Sequence, residues 1–92
     1  MRATPIAALK EIRADGSVVE IVVWQVPEPV SPSKHVYKYS LYFGNGGICR
    51  IRYDNERGKG DHKHVGEAEE VYLFSSLEQL LADFKNDVEN WS

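Results

Sequence analysis

A single cysteine, Cys49, excludes an intramolecular disulfide in this 92-residue chain, which fits a reducing compartment. No apolar run approaches the ~20 residues that cross a bilayer as a helix. The opening Met1-Arg2-Ala3-Thr4-Pro5 lacks the apolar core of a secretory signal, so the expected location is the cytoplasm, with no membrane partner. Proline is scarce, and three of the four prolines fall in Pro27-Glu28-Pro29-Val30-Ser31-Pro32. That stretch reads as a stiff connector, because proline cannot donate to a strand ladder. Phosphate-cradling glycine patterns are missing: Gly44-Asn45-Gly46-Gly47 has no helix behind it and reads as a hairpin turn. Neither a Ser-His-Asp nor a Cys-His constellation is evident. Cys49 lies between Ile48 and Ile51 on the side expected to face the core, where a thiol packs rather than reacts. No cofactor is expected.

With 42% hydrophobic and 27% charged residues, the chain falls among folded domains and not disordered ones. Its length suits one domain that buries roughly 60–65% of its unfolded surface. The net charge of −3 argues against a nucleic-acid binder, but its distribution does not. Residues 1–49 carry five basic and four acidic groups, residues 50–64 five and three, and residues 65–92 one and seven. The acidity belongs to the C-terminal part, and a mildly basic middle permits a phosphate-binding surface.

Asp15-Gly16 suits a tight turn after the mixed run Leu9–Ala14. Ser17 to Val26 is rich in β-branched residues and predicts a strand central in a sheet covered on both faces. His35 to Phe43 alternates, with His35, Tyr37, Tyr39, Leu41 and Phe43 on one face. Ile48 to Asp54 returns with Cys49, Ile51 and Tyr53 toward the core, which would leave Arg50 and Arg52 together on the opposite surface. Glu70 to Phe74 predicts a last short strand. From Ser76 the period lengthens, and Leu77, Leu80, Leu81, Phe84, Val88 and Trp91 form one helical face. Ser75 with Glu78, or Ser76 with Gln79, supplies a capping box. The acidic outer face (Glu78, Asp83, Asp87, Glu89) is expected to be solvated or to meet a partner. The fold class is therefore α+β: an antiparallel sheet of four to six strands over about residues 8–74, with one C-terminal amphipathic helix, about 76–91, packed on a face.

Functional interest concentrates in Tyr53-Asp54-Asn55-Glu56-Arg57-Gly58-Lys59-Gly60-Asp61-His62-Lys63-His64, read as a polar loop longer than a hairpin needs. On the residues alone three readings stand: a charged hairpin, a metal site and a nuclease site. His62 and His64 with Asp61 or His35 fall short of the four ligands of a closed zinc site, so no metal is expected. Cleaving RNA through its own 2′-hydroxyl needs a base, an acid and cations around the phosphorane. His62 and His64 would move the protons, Asp61 would orient a histidine, and Tyr53 would orient the phosphate or donate a proton. Lys59, Arg57, Arg52 and Arg50 would bind phosphate, with Gly58 and Gly60 opening backbone amides to it.

Val22-Val23-Trp24-Gln25-Val26-Pro27, Tyr37-Lys38-Tyr39, Tyr53-Asp54-Asn55 with Lys59-Gly60-Asp61-His62-x-His64, and Leu77-Glu78-Gln79-Leu80-Leu81-Ala82-Asp83-Phe84 together resemble the TumE-like toxin family of prokaryotic toxin–antitoxin systems. The resemblance runs over nearly the whole chain. It implies a growth-inhibiting toxin paired with a cognate helix-turn-helix antitoxin. By analogy with other toxin families it also implies action on RNA, as a metal-independent endoribonuclease. The partners expected are that antitoxin, RNA and a second copy of the chain. The alternative is a non-catalytic module that engages a protein through its acidic helix or a sheet edge.

Overall fold

Six strands form in chain order, each antiparallel to the one before: β1 (Thr4–Ile12), β2 (Val18–Gln25), β3 (Tyr37–Asn45), β4 (Ile48–Glu56), β5 (Gly60–Val65) and β6 (Ala68–Val71). One helix, α1 (Leu77–Glu89), closes the chain. The computed structural model describes residues 3–91. The α+β class holds, with the sheet at the upper end of the expected range and the helix on one face.

Alternation explains the core. Val23, Tyr39, Leu41, Phe43, Ile51 and Tyr53 project from β2, β3 and β4 to the face that α1 covers, where Leu80, Phe84 and Val88 meet them. Ser76 is the N-cap: its Oγ accepts the Gln79 N–H at 3.0 Å. Of the two N-caps legible in the sequence the second is used, without the reciprocal half of a capping box, since the Gln79 amide donates to Asp83 at 2.7 Å. Ser76→Ala is expected to destabilise the domain by about 1 kcal/mol, read as a lower urea midpoint with an unchanged slope.

Several expectations need correction, and the last strand is one: it is Ala68–Val71 and not Glu70–Phe74. β2 is not covered on both faces, because the chain has one helix to offer; Val22 and Trp24 lie on an open face, and Trp24 is exposed. α1 also stops short of β1, leaving a groove of about 580 Å³ between them, lined in part by Ala7, Leu9, Val19, Ile21, Phe84 and Val88. A bulge interrupts the β3–β4 ladder, where Phe43 faces Ile51 but Gly44 faces Cys49, so Arg50 has no opposite residue. Beyond it Cys49 is exposed instead of packed. Finally, Asp83 and Asp87 do not form a free acidic face. The Tyr72 hydroxyl donates to Asp83 at 2.5 Å and the Tyr53 hydroxyl donates to Asp87, which pins the helix to the sheet.

The polar stretch 53–64 is a hairpin and not an irregular loop. β4 and β5 run through it, and only Arg57, Gly58 and Lys59 turn. Its polar residues are strand residues, sorted to two faces by the pleat.

Candidate functional site

The sorting produces two polar clusters on opposite sides of one sheet. On the covered side, Asp61 pairs across with Asn55, next to Tyr53 and Lys63. On the open side, His62 pairs with Asp54 and His64 with Arg52.

Asp61 collects three donors. Ser33 Oγ donates at 2.5 Å, the Tyr39 hydroxyl at 2.7 Å, and His35 Nε2 lies at 2.6 Å. Burial alone would raise this carboxyl, but hydrogen bonds from Ser33, Tyr39 and His35 outweigh it and hold Asp61 below the usual carboxylate range. The Tyr39 phenol is pushed far above its usual value, by burial and then by its bond to Asp61. His35 Nδ1 accepts the Tyr37 N–H at 3.2 Å, so the proton sits on Nε2 and points at Asp61. The ring stacks on Phe74 at 3.7 Å between centroids. Both nitrogens are engaged, leaving His35 none to offer a substrate. Asn55, fully buried, donates to the Tyr37 carbonyl and accepts the Tyr39 N–H. This cluster is a clasp. It fastens the proline-rich connector to the β4–β5 hairpin, and the Tyr72 N–H donating to the Asp61 carbonyl brings in the segment before α1.

Asp61 therefore orients a histidine, but the histidine is His35. Tyr53 also lies on this side, fully buried, with its hydroxyl directed to Asp87 and its ionisation suppressed by burial and by that carboxylate. The structure does not bring Asp61 or Tyr53 to the same surface as His62 and His64. Arg50 leaves that surface as well: the bulge carries its guanidinium to within 5.9 Å of the Trp91 ring centroid, at the end of α1. Gly58 N–H is taken by the Ser31 carbonyl at 2.7 Å, so it does not face outward for a phosphate. Gly60, at φ +78°, has Pro32 Cγ 3.1 Å from where a Cβ would stand, which makes the connector the reason for glycine there. Arg57 and Lys59 are exposed at the turn, in no ion pair among the described residues.

What remains together is an ordered row on the open face. The pairing registers place Lys10, Glu20, Tyr42, Arg52, His64 and Glu69 side by side across the six strands, at about 4.8 Å per strand. The adjoining row holds Ser40, Asp54 and His62. Asp54, itself buried, takes Arg52 Nε at 3.0 Å on Oδ2 and lies 2.6 Å from His62 Nε2 through Oδ1. The second approach is off the ring's N–H direction, since Oδ1 has no hydrogen-bond partner. His62 Nδ1 is 2.9 Å from the Gly60 carbonyl, and the ring is 7% exposed. His64 stands edge to face with it at 5.5 Å, is a third exposed, and has Nε2 3.0 Å from Glu69 Oε2. Its Nδ1 has no protein partner among the described residues. Arg52 is half exposed and spends only Nε on Asp54. Among those residues no group of three or more His, Cys, Asp or Glu side chains is arranged to hold a metal ion.

A family model described as Toxin TumE matches residues 4–92. The chain belongs to this toxin family. The match takes in the whole sheet, the clasp and the helix, so both polar clusters lie inside the family's domain, and the protein's role is that of a toxin. No curated protein and no solved structure matches the chain. No described helix is long and apolar enough to cross a membrane.

Sequence reasoning picked out His62, His64 and Arg52. It missed Asp54 and Glu69 as their partners and His35, Ser33 and Tyr39 as the surroundings of Asp61. Strand parity could have found Asp54, since it is two residues from Arg52 and both flank the turn symmetrically with His62 and His64. The partners of Asp61 come from the connector and the start of β3, 22 to 28 residues away, a distance no local pattern spans.

Proposed function

We propose that this toxin is a metal-independent endoribonuclease acting on its open sheet face, with His64 as the proton-transfer group and Arg52 as the phosphate-binding group. The observation that carries the reading is their matched presentation. Each has one nitrogen committed to a carboxylate and its remaining nitrogens free, on directly paired residues of β4 and β5. Glu69 stands beside Nε2, which leaves Nδ1 as the ring nitrogen open to a substrate. Asp54 on Nε aims the terminal nitrogens of Arg52 outward.

The chemistry follows. His64 Nδ1 takes the proton of a ribose 2′-hydroxyl, and the 2′-oxygen bonds to the adjacent phosphorus. The bond from phosphorus to the 5′-oxygen breaks, and that oxygen takes the proton back from the imidazolium. The products are a 2′,3′-cyclic phosphate end and a 5′-hydroxyl end. Arg52 neutralises the charge that grows on the phosphorane oxygens. His62 is nearly buried with both nitrogens facing oxygens, so it acts as a positioning residue. Together with Asp54 it holds Arg52 and packs against the His64 ring. Arg57 and Lys59, at the end of the same hairpin, extend the basic track along the strand. The family role supports an antitoxin as partner, and we take it to be of the helix-turn-helix type, as the resemblance implies.

The test uses the purified chain and an unstructured RNA in excess EDTA. Fragments ending in 2′,3′-cyclic phosphate are expected. Intact RNA under conditions where the protein arrests growth would rule the nuclease reading out.

A further inference from the structure

We infer that two copies of this chain associate through β1, whose free edge pairs antiparallel with the same edge of its partner about Leu9. Three of the exposed large apolar side chains lie on this one strand: Ile6 at 44%, Leu9 at 55% and Ile12 at 72%. A terminal strand offers unpaired backbone groups as a template for another strand, and natural edges are normally short, charged, bulged or covered. β1 spans nine residues, and α1 does not reach it. Its proline and bulge stand at one end, where Pro5 lacks an N–H and the register shifts between Pro5 and Ala7, and its only charges are Lys10 and Glu11. From Ala7 to Ile12 the ladder with β2 is regular.

The register follows from parity and charge. A two-fold axis normal to the sheet keeps each side chain on its own face, so opposite residues must be an even number of positions apart. Within the regular stretch, two registers are nearly centred. One sets Lys10 directly against Lys10 of the second copy, which like-charge repulsion disfavours. The other sets Leu9 on the axis, with Ala8 opposite Lys10 and Ala7 opposite Glu11, and its two lysines are offset by a diagonal step. This second register has no directly opposed like charges. It also brings together the apolar floors beside Leu9, which each single copy leaves open to solvent.

The other edge does not serve. β6 has four residues, and its two central registers set either Glu69 or Glu70 directly against its own copy, while β1 on β6 would be a head-to-tail contact that does not close at two copies. An isologous β1 contact closes at two copies and leaves the open-face row on β4 and β5 uncovered.

Sedimentation of the full chain at tens of micromolar should give twice the monomer mass, and Leu9→Lys should weaken the dimer at least about tenfold while the far-ultraviolet circular dichroism stays unchanged. In a Cys49→Ser background, Leu9→Cys should form an intermolecular disulfide on oxidation, and Val71→Cys on the other edge should not. A monomer at every concentration would overturn the inference. So would a dimer that survives Leu9→Lys with no Leu9→Cys crosslink, or an open-ended ladder of oligomers.

Discussion

Replacing His64 with alanine is expected to lower kcat/KM on RNA by about 10²–10⁴-fold, the usual share of a positioned general base or acid, and to relieve growth inhibition at equal protein levels. His64 is partly exposed, and its side chain holds only Glu69 and an edge of the His62 ring. Its loss should therefore leave stability within about 0.5 kcal/mol of the wild type, as for ordinary surface changes. Arg52→Ala should cost about 10²-fold through the phosphorane. Arg52→Lys should recover little, because an ammonium cannot spend one nitrogen on Asp54 and still present a planar fork. Asp54→Asn, which touches neither the scissile phosphate nor the 2′-hydroxyl, should loosen Arg52 and lower kcat more than it raises KM, by less than Arg52→Ala does. Growth arrest that is undiminished in a folded His64→Ala protein would remove proton transfer by this residue from the account.

The second large effect concerns stability. Asp61→Ala is expected to destabilise the domain by about 3–5 kcal/mol, since it strands three buried donors, on Ser33, Tyr39 and His35, that bonded to a charged acceptor. Against the ~5–15 kcal/mol that holds a typical domain together, this is enough to populate unfolded chain at growth temperature. The pH dependence has a definite sign. Asp61 is held below its usual value in the folded protein. Its contribution is therefore complete above the unfolded carboxyl value near ~3.9 and is lost as pH falls through the lower folded value. Acid titrations of urea midpoints should show a decline below about pH 4 that is shallower in Asp61→Asn, which keeps an acceptor oxygen but cannot titrate. Equal acid sensitivity in both proteins would assign the decline to other carboxylates.

The two variants separate two roles that one short sequence had merged. Asp61-His62-Lys63-His64 reads as a single polar motif, yet its odd and even members face opposite sides. Asp61 and Lys63 serve packing under the connector and helix, whereas His62 and His64 face the open side with Arg52 and Asp54.

The sequence by itself determined the central strands and the helix, though not the extent of β1, β5 or β6. β-branched runs, alternation through Tyr37–Phe43, the Gly46-Gly47 turn and the 3.6-residue period from Leu77 to Trp91 are local signals, and local backbone preference and side-chain period decide them. It also determined that histidine and arginine would concentrate around one hairpin. Tertiary structure decided which of them meet. The bulge that removes Arg50 from Arg52 depends on how β4 registers with β3. The exposure of β1 depends on one helix being too narrow for six strands, and that of the Trp24 face on that helix covering only the other side. The pairing of His35 with Asp61 depends on a connector folding back across 26 residues. Each of these is a contact between distant segments, and a residue's neighbours along the chain do not encode it.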